Sequence, residues 1–131
     1  MEGKNNSFTA LEHRVLNAVC EMHPTDRTLL QAQLATAEID NRENTGGGFY
    51  TRFSVKRDAG IRLPLHPRLR DGPGARIDGL AHGMGFVLWL EDGFASCLEG
   101  YSYAEHTVDL DFATVGFELS TIRPGAGATR S

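Results

Sequence analysis

The sequence predicts an α+β fold, in which an N-terminal helical hairpin packs on one face of an antiparallel sheet of about five or six strands. Two observations carry this. Up to about Ala37, apolar residues recur three and four positions apart, the mark of amphipathic helices. Beyond it they alternate with polar residues between glycine- and proline-rich breaks, the mark of half-buried strands. The helical stripes then need a sheet face to cover.

Thr9 opens the first helix, with Glu12 three residues on, the spacing of a capping box in which a hydroxyl and a carboxylate satisfy two free backbone N–H groups. Leu11, Val15, Val19 and Met22 form its stripe, with Leu16 and Cys20 beside them. His23-Pro24 ends it, because a residue before proline is pushed out of the helical region. Thr25 or Asp26 can cap a second helix, "DRTLLQAQLATA", with Leu30, Leu34 and Ala37 as its stripe and Leu29 as a shoulder.

The strands follow. "AEIDNREN" reads as a polar edge strand, whose Glu38, Asp40, Arg42 and Glu43 are the charges an edge uses to avoid pairing with another chain. "TGGG" is a glycine-rich turn. "FYTRFSV" places Phe49, Thr51, Phe53 and Val55 on one face and Tyr50, Arg52 and Ser54 on the other. Residues 56–73, interrupted by Pro64, Pro67, Gly72 and Pro73 and dotted with arginine, read as a long basic loop, a length that usually marks function or mobility. "ARIDGL" is a short strand. "GFVLWLE" and "FASCLEGY" flank Asp92-Gly93, a dipeptide suited to a tight hairpin turn. A last strand, "VDLDFATVGFEL", sets Val108, Leu110 and Phe112 against Asp109 and Asp111, with Gly116 as a bulge. Residues 1–8 and 123–131 read as frayed tails of a single domain, 1–131.

Composition narrows the class. With 131 residues, 40% hydrophobic and 23% charged, the chain is that of an ordinary globular domain able to bury roughly two thirds of its unfolded surface. A net charge of −4 argues against general nucleic-acid affinity. Cys20 and Cys97 are too few to staple a secreted scaffold and read as buried, reduced thiols. The polar N-terminus lacks a signal peptide, and the longest apolar run, "GFVLWL", falls far short of the ~20 residues of a membrane span. The expected location is the cytoplasm, away from membranes.

Charge is segregated along the chain. Residues 50–76 hold Arg52, Lys56, Arg57, Arg62, Arg68, Arg70 and Arg76 against Asp58 and Asp71. Residues 77–122 hold Asp78, Glu91, Asp92, Glu99, Glu105, Asp109, Asp111 and Glu118 with no Lys or Arg. Either the basic loop folds over the acidic hairpin, where exposed pairs contribute little, or the acidic sheet stays open to a cationic partner, whose encounter it steers.

No motif compels catalysis. "AHGMGF" could offer backbone N–H groups to an oxyanion, with His82 as base for Cys97 or Ser102, yet no nucleophile elbow is present and the turn more simply reverses the chain. Glu99, Glu105, His106, Asp109 and Asp111 supply oxygen and nitrogen ligands without calcium-loop or HExxH spacing. "TGGG" is followed by no lysine, so it is no phosphate loop, and the arginine-rich segment offers no recognition helix.

"TGGGFYTRFSV" and "HGMGFVLWLEDGFASCLEGYSY" together resemble a set of small bacterial proteins that share a Thr-Gly-x-Gly-Phe-aromatic-Thr-x-Phe segment and a His-Gly-x-Gly-Phe strand followed by Leu-Glu-Gly-aromatic. The resemblance spans about residues 9 to 119, and "YSYAEHTVD" departs from its Trp-Pro-like continuation. It implies no activity, so no residue takes a role from it.

The function expected from these readings is a non-enzymatic binding protein that presents an acidic β-hairpin face to a basic protein, in the style of an immunity protein or small inhibitor. Glu91, Asp92, Glu99, Asp109 and Asp111 would pair with the partner's Lys and Arg, while Tyr101 and Tyr103 supply packed area. No catalytic residue, metal or cofactor is expected. Two other readings stand beside it: a small hydrolase or metal-dependent enzyme using His82, Glu99 and His106, and a homo-oligomeric structural module joined through strand edges.

Overall fold

A computed structural model of the chain describes residues 7–120. Most of both expected tails, residues 1–6 and 121–131, therefore lies outside the described residues, while Phe8 packs edge-on against Phe53 with ring centroids 5.3 Å apart.

The capping box forms as the spacing implies. Glu12 N–H donates to the Thr9 hydroxyl at 3.1 Å, Thr9 N–H donates to the Glu12 carboxylate at 2.8 Å, and helix α1 runs Ala10–Met22 with Leu11, Val15, Leu16, Val19 and Cys20 buried. Helix α2 runs Arg27–Leu34. Asp26 stands at its N-cap position, but its side chain makes no capping bond. It pairs instead with the Arg70 guanidinium at 2.7 Å, a group only 6% exposed, because a charge buried that deeply needs an opposite charge more than a helix end needs a cap. Gln33, outside the predicted stripe, is fully buried: its amide donates to the carbonyls of Ile61 (2.6 Å) and Gly93 (3.0 Å) and accepts from Ala95 N–H (2.8 Å).

The sheet has six strands, β1 (Glu38–Asn44), β2 (Gly48–Ser54), β3 (Leu69–Ile77), β4 (Met84–Glu91), β5 (Phe94–Ser102) and β6 (Phe117–Leu119), in the order β1-β2-β5-β4-β3-β6. Every neighbouring pair is antiparallel. Two helices on one side of such a sheet make the predicted α+β arrangement. Phe49 and Phe53 of β2, Ile77 of β3, Phe86, Leu88 and Leu90 of β4 and Leu98 of β5 form the inner face, with α1 over β3, β4 and β6 and α2 over β5. The β4–β5 turn is the Asp92-Gly93 pair, at φ 55° and 86°. The second position favours glycine doubly, since a Cβ there would run into the Leu63 carbonyl.

Four local expectations are corrected. The segment 56–73 is not all loop, for β3 begins at Leu69 and passes through Gly72 and Pro73 inside an irregularity between Asp71 and Gly74. A bulge already gives up a ladder bond, so proline's missing N–H costs nothing further there. The last strand shrinks to Phe117–Leu119; residues 108–116 form turns, with Leu110 N–H donating to Thr107 O and Val115 N–H to Asp111 O, both at 2.9 Å. Their alternation reflects Leu110 and Phe112 dipping to the core from a folded loop. Gly116 is no bulge: its carbonyl accepts from Asp78 N–H at 2.9 Å. Finally, Cys20 is buried as expected, but Cys97 is only half-buried.

Candidate functional site

Side chains alternate along a strand, so every residue the helices cover implies neighbours on the opposite face. In register, Tyr50 of β2 lies opposite Glu99 of β5, Glu99 opposite Val87 of β4, and Val87 opposite Asp71 of β3. The next row is Arg52, Cys97, Trp89 and Leu69. Both helices lie on the other side, and this face carries half-buried aromatic and apolar groups around two carboxylates.

Glu99 is held at its centre. The Trp89 indole N–H donates to its carboxylate at 2.9 Å. Tyr101 packs across Gly85, where a Cβ would come within 2.5 Å of its ring, and meets Tyr103 edge-on at 5.7 Å. Burial raises the Tyr101 phenol pKa, and the neighbouring Tyr103, Asp71 and Glu99 raise it further. The field at that end of the face is negative.

The hairpin tip is different. Arg57 pairs with Glu91 at 3.1 Å and with Asp92 at 3.3 Å, and Arg57 and Arg62 both lie over the Phe94 ring, at 5.2 and 5.4 Å. Among the described residues the basic segment folds over the tip of the acidic hairpin, Arg52 lies over the Tyr50 ring at 4.9 Å, and no cation pairs with the hairpin's middle. Arg52 pairs with Glu43 and Arg76 with Asp78, at 3.1 and 2.6 Å. Among the described residues, Glu99 and Asp71 make no ion pair.

Of the sequence-predicted set, Glu99, Tyr101 and Tyr103 come together, whereas Glu91 and Asp92 lie at the hairpin tip with Arg57 attached. Asp109 and Asp111 do not join them. They sit on turns of the loop after β5, which packs on the helix side: Phe112 lies 4.8 Å from Phe49, an inner-face ring, and Asp111 accepts from Ala113 N–H at 2.9 Å. Asp71 went unrecognised because it lies in a segment read as basic loop; the alternation of Leu69, Asp71 and Gly74 across the bulge was the only signal.

Among the described residues, Glu99 makes no bond to the other enzyme candidates, while the segment at 105 meets the His82 backbone. Glu105 accepts from the backbone N–H groups of Ala81 and His82, both at 2.8 Å, and these bonds lower its pKa. Among the described residues no hydrogen bond or ion pair links Glu99 to His82 or His106, and no three His, Cys, Asp or Glu side chains gather as a metal's ligands would. Burial pushes the Cys97 thiol up to about 11, so little thiolate is present near neutrality. Among the described residues no helix is long and apolar enough to cross a membrane. Where β2 and β5 part beyond the Arg52–Cys97 pair, a cleft of about 420 Å³ opens between Arg52, Arg57, Glu91 and Ser96.

Compared with protein-family models, curated proteins and solved structures, the chain matches none. What the geometry defines is an α+β protein with one helix-covered sheet face and one open one.

Proposed function

We propose that the protein is a non-catalytic binding protein that receives a basic segment of a partner protein on the open face of its sheet. The observation that carries this reading is Glu99, a half-buried carboxylate ringed by Tyr50, Trp89 and Tyr101 and lacking a cation among the described residues. Arg52 already lies over the Tyr50 ring at 4.9 Å, but a partner's Arg or Lys can lie across Trp89 and Tyr101 and reach the free carboxylate oxygen, combining cation–π and charge-assisted contacts. Asp71, two strands away and so roughly 10 Å off, offers a second anchor. Tyr101 and Tyr103 supply apolar area beside them. A toxin or enzyme neutralised by an immunity-type inhibitor is the kind of partner that fits. The hairpin tip contributes less, since Glu91 and Asp92 already hold Arg57.

Trp89 is the chain's single tryptophan and a built-in reporter. Titration with a short oligoarginine peptide should change its emission saturably at low salt. High salt and Glu99→Gln should each abolish the change, and an oligoglutamate peptide should produce none. A flat titration, or an equal response from Glu99→Gln, rejects the reading.

A further inference from the structure

Residues 78–83 join β3 to β4 and carry the amides that the sequence offers to an oxyanion. Gly79 at φ 97° and Gly83 at φ 69° bend the chain there, and a Cβ on Gly83 would run into the Ala75 carbonyl. The bend turns two successive amides, Ala81 and His82, toward one point, a concavity suited to an anion. The fold fills it from within: Glu105 sets one carboxylate oxygen on each N–H at 2.8 Å. Such charge-assisted bonds are about twice as strong as neutral ones.

Glu105 reaches the amide pair from the segment that follows β5. Ser102, the last residue of that strand, donates its N–H to Gly47 O at 2.9 Å and its hydroxyl to Glu105 O at 2.6 Å. Thr107, fully buried, donates its N–H to Gly46 O at 2.9 Å. Between these fixed points Ala104 takes φ 67°, a left-handed conformation that is costly for a residue with a Cβ and persists only where its surroundings hold it. Next to this strained residue stands Tyr103, half exposed, whose ring meets Tyr101 edge-on at 5.7 Å. Tyr101 in turn feels the charges of Asp71 and Glu99.

We infer that, given the binding role proposed for the open face, Glu105 is a positioning residue for it: seated in the Ala81–His82 amide pair, it holds the strained turn at 102–107 and so sets Tyr103 against Tyr101, where a basic segment docks. Glu105 need not touch the partner, since both of its oxygens face the amides.

Titrations of the whole chain with a short oligoarginine peptide at low salt, read by Trp89 emission, test this role. Glu105→Ala and Tyr103→Ala should each weaken binding at least about fivefold, and the double variant should be no weaker than either, because both remove the same contact. Glu118→Gln takes one negative charge from an exposed side chain and should leave affinity within about twofold of the parent. Acetate should enter the vacated amide pair of Glu105→Ala, shift the Ala81 and His82 amide resonances saturably, and recover affinity that chloride at the same ionic strength does not. Additive losses, undiminished binding by Glu105→Ala, an equal loss in Glu118→Gln, or acetate acting no better than chloride overturns the positioning role and leaves the open face as a binding site. A parent protein that binds no peptide overturns the reading of the face itself, and the positioning role with it.

Discussion

Glu12 does two jobs at once, capping α1 and anchoring Arg42 and Thr51 of neighbouring strands. Burial raises its pKa, but the bonds from Arg42, Thr51 and Thr9 outweigh it, and the net pKa is lowered. A depressed carboxylate contributes stability that is complete above its unfolded pKa, roughly 4.3, and is lost as pH falls through the folded value. Glu12→Gln should therefore cost about 2–3 kcal/mol near neutrality by urea denaturation, less than a fully buried pair because Arg42 is partly solvated. The gap between variant and parent should narrow on acidification below about pH 4; a gap independent of pH would show that the charge is not what matters. The capping half of this was legible in Thr9 and Glu12, three residues apart. The other half was not, since Arg42 and Thr51 lie 30 and 39 residues away and meet Glu12 only after the sheet forms.

The β4–β5 hairpin shows which parts of an element resist change. Gly93→Ala combines a positive φ with a collision against the Leu63 carbonyl, whose residue also donates its N–H to Gly93 O at 2.9 Å. The substitution should cost at least about 2 kcal/mol in thermal unfolding. Arg57→Ala, which removes two ion pairs from the same turn, should cost under about 1 kcal/mol, because both pairs are exposed. If the order of these two were reversed, electrostatics rather than backbone fit would hold the tip. Hairpins of this kind are legible because the turn dipeptide and the alternation beside it are local. β3 was only partly legible: Pro73 looks like a strand breaker unless the bulge that tolerates it is known, and the bulge arises from pairing with β4. Residues 108–116 misled in the opposite direction, for alternation also arises when a turn-rich loop sends Leu110 and Phe112 inward.

Across the whole molecule, β4 and β5 occupy the middle of the sheet and everything else is added to them. Leu88 is at the centre of the sheet and wholly buried, so Leu88→Ala leaves a cavity and should lower stability by about 3–4 kcal/mol in denaturant melts. Val108→Ala, on an exposed turn, should stay within about 0.5 kcal/mol. The charge asymmetry of the sequence resolves, among the described residues, into matched and unmatched parts: Arg57, Arg70 and Arg76 find carboxylates within the fold, while Glu99 and Asp71 lie on the open face without an ion pair. Segregation was readable from the chain; which carboxylates stay unmatched depends on strand order, which brings β5 beside β2 and β4 and no residue-by-residue pattern encodes.

The covering of α1 by β3, β4 and β6 has a bearing on how the chain is made. All of its cover is synthesised after it, and β4 ends only at Glu91. At about 5–20 residues per second, the Leu11–Val15–Val19 stripe waits on the order of several seconds outside the ribosome before a sheet exists to receive it. In that interval the nascent chain is a pair of short amphipathic helices followed by a charged hairpin, a natural client for a chaperone.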